Sequence, residues 1–161
     1  TRLNPIHAAL LSAAINNRGV MMAPFLVEAA FNSDGREIYR AKPMQIGRII
    51  SPQTALKVET LMLATIATGT SRRAFHKAGT RADADEIGGK TGTLLDPENR
   101  DILYTWFSGI APLNSPKSIA IGTVVASPQN WVVRASSVAQ TTLADYLKLE
   151  KSDSRVASRS N

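Results

Sequence analysis

Lys90-Thr91-Gly92-Thr93 is the segment of this 161-residue chain best suited to chemistry. It follows Ile87-Gly88-Gly89 and precedes a β-type run from Ile102 to Pro112. One ammonium and two hydroxyls sit on a strand that its glycines leave almost bare of side chains. Glycine within a strand often marks close approach by a ligand or by another backbone. Such a strand suits recognition of a carboxylate-bearing peptide, because hydroxyls donate to a carboxylate and an ammonium attracts it. The plain alternative is a solvated surface lysine, since most lysines are exposed. The flanking Gly88, Gly89 and Gly92 count against it.

A phosphate-binding loop also ends in Gly-Lys-Thr, as Gly89-Lys90-Thr91 does, but Ala84 stands where its leading glycine belongs. That loop needs a buried strand before it and a helix after it, so that the helix N-terminus faces the phosphate. Here the acidic run Arg81-Ala82-Asp83-Ala84-Asp85-Glu86 precedes, and the turn-forming Asp96-Pro97-Glu98-Asn99 follows. Both contexts argue against phosphate.

Composition narrows the remaining classes. The chain is long enough for one domain with a core, and 43% hydrophobic with 20% charged residues is ordinary for a globular protein. The net charge of +6 is not gathered into a basic block with interleaved aromatics, so no nucleic-acid partner is expected. Cysteine is absent, and His7 and His76 lie too far apart for a short metal motif, so neither metal nor cofactor is expected. No apolar stretch reaches transmembrane length and no signal peptide opens the chain. The start at Thr1, directly before a helix-like segment, suggests an excised piece of a longer protein.

The elements that must hold the Lys90 strand can be read in order. Asn4 and Pro5 cap a helix to Asn17, with Ile6, Ala9, Leu10 and Ala13 at helical spacing and small residues suited to close packing. Phe25 to Phe31 and Glu37 to Arg40 form a peripheral hairpin around Asn32-Ser33-Asp34-Gly35. Ser51-Pro52 starts a second helix that ends before Gly69, with Leu56, Val58, Leu61, Met62 and Leu63 as its apolar face. A short further turn is expected at Thr70 to Arg73, then a polar surface loop from Lys77 to Glu86. Three strands follow, Ile87 to Leu94, Ile102 to Ala111 and Ser118 to Ala126, and short connections favour antiparallel neighbours. The third is apolar on both faces, which suits a central strand covered on both sides rather than a half-exposed one. Val132 to Leu149 closes as a helix. The expected fold class is α+β, an antiparallel sheet with helices on its faces, spanning 1–149, with a polar, disordered tail over 150–161.

This order resembles the C-terminal half of a penicillin-binding protein transpeptidase domain, within the penicillin-binding protein and serine β-lactamase superfamily. Asn4-Pro5-Ile6-His7-Ala8-Ala9 resembles the helix after that family's second motif, and Asn16-Asn17-Arg18-Gly19 with Pro24 its exit. Leu61-Met62 and Thr68-Gly69-Thr70 resemble the helix and Gly-Thr segment before the active strand. Gly88-Gly89-Lys90-Thr91-Gly92-Thr93 matches the third motif without a mismatch, and Trp106-Phe107-Ser108-Gly109-Ile110-Ala111-Pro112 resembles the adjacent strand.

The resemblance implies peptidoglycan cross-linking, in which a serine attacks the penultimate D-alanine carbonyl of a stem peptide and β-lactams acylate that same serine. It implies a catalytic role for Lys90 in the proton-transfer network and in attracting the substrate carboxylate. Thr91, Gly92 and Thr93 would bind substrate, the threonine hydroxyls on the carboxylate and the Thr93 N–H on the oxyanion. No serine in the chain has lysine three positions later, and no Ser-x-Asn occurs. The chain alone is therefore expected to be inactive, one wall of a site whose other half lies upstream. That upstream part would also carry the membrane anchor of a periplasmic or extracytoplasmic protein. With that half removed, the Ser118 to Ala126 strand would become an open edge, so the isolated chain is expected to self-associate. Two alternatives stand: a D,D-carboxypeptidase or β-lactamase relative, and a non-catalytic β-lactam or peptidoglycan sensor module.

Overall fold

A computed structural model describes residues 3–76, 86–129 and 133–159, with side chains described as far as 150. The chain runs α1 (Pro5–Asn16), β1 (Val20–Met22), β2 (Ala29–Phe31), β3 (Glu37–Arg40), β4 (Gln45–Arg48), α2 (Pro52–Ala67), α3 (Arg72–Phe75), β5 (Gly88–Leu95), β6 (Ile102–Ala111), β7 (Ile119–Pro128) and α4 (Ala135–Arg159). The architecture is α+β. Its main sheet is antiparallel in the order β5-β6-β7.

Local chemistry explains the helix starts. The Asn4 side chain accepts from the His7 N–H at 2.8 Å, with Pro5 in the first turn. Ser51 accepts from the Thr54 N–H at 3.1 Å and Pro52 opens α2. The Asn32 carboxamide accepts from the N–H groups of Asp34 and Arg36, closing the β2–β3 hairpin, whose β3 strand is exposed throughout.

The three-stranded sheet carries helices on both faces. On one, α1 lies so close to β7 that a Cβ on Gly122 would sit 2.0 Å from the Pro5 carbonyl oxygen. Ser108 Oγ on β6 donates to the Ala8 carbonyl at 2.7 Å and meets Ser12 Oγ at 2.5 Å. On the other face, Phe107 and Ala111 pack with Ala135, Ala139, Leu143 and Leu147 of α4. The doubly apolar β7 is covered from both sides in this way.

Several expectations shift. On α1 the buried residues are Ala8, Ser12 and Ala14, while Ile6 is 61% exposed. Only small side chains fit the close approach at Gly122, so size overrides the hydrophobic stripe. On α2 the buried residues are Ala55, Glu59, Met62 and Ile66, and Leu61 is 68% exposed. A carboxylate enters that buried stripe because it is satisfied there. Arg18 donates to Glu59 Oε2 at 2.8 Å, Asn114 donates to Oε1 at 2.9 Å, and Arg18 also donates to Asn114 Oδ1 at 2.5 Å. This clasp ties the exit of α1, the middle of α2 and the β6–β7 connection together.

The first hairpin strand shortens to Ala29–Phe31, and an unforeseen pair, β1 with β4, joins residues flanking the hairpin. The closing helix begins at Ala135 and continues to Arg159, past the point at Leu149 where the sequence reading ended it. No glycine or proline interrupts it, so nothing in the backbone chemistry stops it there. Most of the expected Lys77 to Glu86 loop lies outside the described residues.

Candidate active site

Strand β5 holds the four motif residues at the end of the sheet's strand order, with β6 on one side and no strand on the other among the described residues. It pairs with β6 over eight consecutive residues, from Gly88↔Ile110 to Leu95↔Leu103, without irregularity. Residues directly opposite in an antiparallel pair share a face, and successive residues alternate. Lys90 lies opposite Ser108, which bonds α1, so Lys90 belongs to the α1 side. Thr91 and Thr93 lie opposite Phe107 and Thr105 and belong to the α4 side.

The Lys90 side chain is exposed and its Nζ donates to the Thr91 carbonyl at 2.5 Å. On the other side, Thr91 and Thr93 line a cavity of about 120 Å³ together with Thr70, Thr105, Arg134 and Ser136. Thr70, just after α2, brings its hydroxyl to 2.7 Å from that of Thr91. In such a pair one hydroxyl donates to the other, and the acceptor's own proton stays free for a ligand. Thr105 Oγ1 accepts from the Ala135 N–H at 3.0 Å, which fixes the start of α4 beside the strand.

The glycines divide by role. A Cβ on Gly89 would lie 2.2 Å from Phe107 Cζ, and one on Gly88 would meet Met62 and Leu113 at 3.3–3.4 Å. Both residues are buried, so their bareness serves packing rather than ligand approach. Gly92 has only Trp106 near its Cβ position, at 3.3 Å, and it also lines the cavity. By alternation its Cβ position lies on the Lys90 face, so Gly92 lines the cavity through its backbone.

The turn beyond β5 is held by Asp96. Its Oδ1 accepts from the N–H groups of Glu98 and Asn99, both at 2.8 Å, and Oδ2 accepts from the Tyr104 hydroxyl at 3.0 Å. These bonds hold the Asp96 carboxyl below its ordinary value, the Asn99 N–H contributing most. Among the described residues, no group of three His, Cys, Asp or Glu side chains is placed to hold a metal ion, and no helix is long and apolar enough to cross a membrane.

All four motif residues expected from sequence stand on one strand edge. Sequence reasoning assigned no role to Thr70, although its Gly-Thr segment was matched. It missed Thr105, which the β6 pairing sets opposite Thr93, and Arg134 and Ser136, which only the packing of α4 brings to the strand.

Comparison with known proteins agrees with this geometry. The family described as penicillin binding protein transpeptidase domain matches over residues 1–148. The peptidoglycan D,D-transpeptidase PbpA of Mycolicibacterium smegmatis is 33% identical over 126 residues, covering 76% of this chain and 24% of that protein. PbpA of Mycobacterium tuberculosis is 31% identical over the same coverage. The chain thus spans about a quarter of the length of these curated relatives. Among solved structures, the D,D-transpeptidase domain of a peptidoglycan glycosyltransferase from Eggerthella lenta superposes with a TM-score of 0.70 at 26% identity, over 88% of this chain and 31% of that one. An imipenem acyl-enzyme complex of penicillin-binding protein A from M. tuberculosis gives 0.68 at 26% identity, over 91% and 31%. With a family match across nearly the whole chain and the motif strand at the sheet edge, the chain belongs to the penicillin-binding protein transpeptidase domain family.

Proposed function

We propose that this chain supplies the substrate-binding strand of a peptidoglycan D,D-transpeptidase site that also binds β-lactams. The observation that carries the reading is the sorting of the motif on an open sheet edge. Lys90 stands on the α1 side, and the Thr91 and Thr93 hydroxyls border a cavity on the α4 side. In this reading a stem peptide lies along β5. The Thr91 and Thr93 hydroxyls donate to its terminal carboxylate, the Thr93 N–H donates to the oxyanion, and the Lys90 ammonium supports proton transfer. A preorganised oxyanion donor supplies roughly 2.7–4 kcal/mol of transition-state stabilisation.

The acylated serine comes from sequence outside these 161 residues, which hold no Ser-x-x-Lys. Its Oγ attacks the penultimate D-alanine carbonyl, the terminal D-alanine leaves with a proton, and an amine then takes the acyl group. The M. tuberculosis relatives solved as imipenem and penicillin G acyl-enzymes support β-lactams as ligands of the completed site. The reading places the protein outside the cytoplasmic membrane, anchored through an upstream segment. It also makes the outer edge of β7, unpaired among the described residues, the seat of a strand from the upstream half. The isolated chain would then pair with itself through that edge, so its sedimentation coefficient should rise with concentration.

The decisive experiment measures acylation of the transpeptidase domain that carries this chain, with Lys90 intact and with Lys90→Ala. The variant should acylate far more slowly with labelled penicillin while melting within a few degrees of the parent, because truncating an exposed strand residue leaves no core cavity. An unchanged acylation rate would remove Lys90 from the chemistry. Intact-mass spectrometry of the 161-residue chain alone should show no penicillin adduct. A stoichiometric adduct would overturn the claim that the serine lies elsewhere.

A further inference from the structure

The Arg18–Glu59–Asn114 clasp lies away from the threonine cavity, yet both of its anchors lean on the motif strand. Glu59 belongs to the buried stripe of α2, Ala55, Glu59, Met62 and Ile66, in which Met62 stands one turn further on. Met62 Cβ lies 3.3 Å from where a Cβ on Gly88 would be. Asn114 directly follows Leu113, whose Cδ1 lies 3.4 Å from the same point and whose N–H donates to the Glu86 carbonyl at 2.8 Å. The two sides of the clasp therefore close on Gly88, which stands just before Gly89 and Lys90. Beyond the C-terminal end of α2, Thr70 sets its hydroxyl 2.7 Å from that of Thr91.

The clasp is held against a backbone cost. Arg18 has a φ of 52° and Asn114 a φ of 55°, both in the left-handed region. Asparagine tolerates that region, and arginine seldom enters it. Glu59 is 5% exposed, and its two oxygens accept from Arg18 and Asn114 at 2.8 and 2.9 Å. A buried carboxylate and a left-handed arginine are each unfavourable alone and persist where the surrounding contacts fix them. With both carboxylate oxygens bonded to different segments, α2 is fixed against sliding along β5.

We propose that Arg18, Glu59 and Asn114 are positioning residues for acylation: the clasp seats Met62 and Leu113 against Gly88 and so sets Lys90, and Thr91 with its Thr70 partner, in place for the reacting serine. The inference rests on the strand reading above and adds to it a control remote from the ligand. None of the three residues lines the threonine cavity. They act on the chemistry by placing β5 and the end of α2.

Glycine removes each side chain without straining the backbone, because it adopts positive φ freely. In the transpeptidase domain that carries this chain, Arg18→Gly and Asn114→Gly should each slow acylation by labelled penicillin about threefold or more, while thermal melts show both folded at the assay temperature. Arg18→Lys keeps the charge without the planar fork and should recover part of the rate lost in Arg18→Gly. Leu147→Ala opens a cavity in the core on the α4 side; it should lower the melting temperature and leave the rate at that of the parent. Hydrogen–deuterium exchange of the 161-residue chain, followed by mass spectrometry, reads the strand directly. Exchange over Gly88–Leu95 should quicken in both glycine variants, and exchange over Ile119–Pro128 should match the parent. Parent acylation rates in both glycine variants, exchange that quickens evenly over both strands, or an equal loss of rate in Leu147→Ala would each overturn the inference. If Lys90→Ala slows acylation while the glycine variants do not, the clasp assignment fails and the strand reading stands. If Lys90→Ala acylates at the parent rate, the strand reading itself fails and the clasp assignment falls with it.

Discussion

Substituting Gly89 and Gly92 separately should show which of these two glycines of β5 serves packing. The Gly89 Cβ position is 2.2 Å from Phe107 Cζ, and the favourable carbon–carbon distance is about 3.5–4.0 Å. An alanine there must push the ring back by more than about 1 Å. Phe107 has no room to retreat, being fully buried with its ring centroid 5.4 Å from that of Phe75. Overpacking of this kind costs about 1–3 kcal/mol. At this chain length each kcal/mol lowers Tm by about 2–4 °C, so Gly89→Ala should melt roughly 2–12 °C below the parent. Gly92→Ala meets only Trp106 Cβ at 3.3 Å and should stay within about 1 kcal/mol of it. Thermal melts followed by circular dichroism decide the matter. Adding Phe107→Leu to Gly89→Ala should recover part of the loss, since the shorter side chain vacates the clash. If Gly89→Ala melts with the parent while Gly92→Ala unfolds early, the division of roles between these glycines is wrong.

Three further outcomes are expected. Ser71 is fully buried and its Oγ has no hydrogen-bond partner among the described residues, so Ser71→Ala should leave stability unchanged or raise it by about 1–2 kcal/mol in denaturant unfolding; a loss of similar size would contradict that reading. Glu59→Ala strips Arg18 and Asn114 of their shared acceptor and should lower the unfolding free energy by about 2–3 kcal/mol, below the range for fully buried pairs because Arg18 is half exposed. The Asp96 carboxyl should titrate below its ordinary 3.8 in an NMR pH titration, held down first by the Asn99 N–H. The turn it closes is then favoured above that value and loosens as pH falls through the lowered folded pKa. A midpoint at or above 3.8 would contradict those hydrogen bonds.

Much of the fold was legible because the chemistry that starts and stops elements is local. Asn4-Pro5 and Ser51-Pro52 cap helices by bonds to residues three positions on, and Asp96-Pro97-Glu98-Asn99 makes its turn within itself. That Lys90 to Thr93 lie on a strand was legible for a similar reason, although two of the glycines that marked it, Gly88 and Gly89, serve packing. What escaped depends on contacts distant in sequence. Glu59 is buried only because Arg18 and Asn114 reach it from positions 41 and 55 residues away, so a hydrophobic stripe drawn without them turns Leu61 inward. Strands β1 and β4, of three and four residues, exist through each other and not through any pattern of their own. Arg134 and Ser136 reach the motif strand because Thr105 pins the start of α4, 30 residues along the chain.

The bulge-free ladder between β5 and β6 makes this site a matter of parity. Odd positions 91 and 93 open on the cavity beside α4, and even position 90 stands toward α1. A slip of one residue would leave the strand paired and the sheet intact, yet it would exchange the two sets, sending the ammonium to the pocket and the hydroxyls away from it. The same letters in the same order would then present a different surface. Gly89 works against that error in one direction as well as allowing Phe107 its place, because a slip that set Lys90 there would bring a side chain against the ring where only hydrogen now fits, whereas one that set Gly88 there would not. The ring of Phe107 thereby acts as a one-way stop, refusing the alignment that would set the ammonium-bearing residue against it.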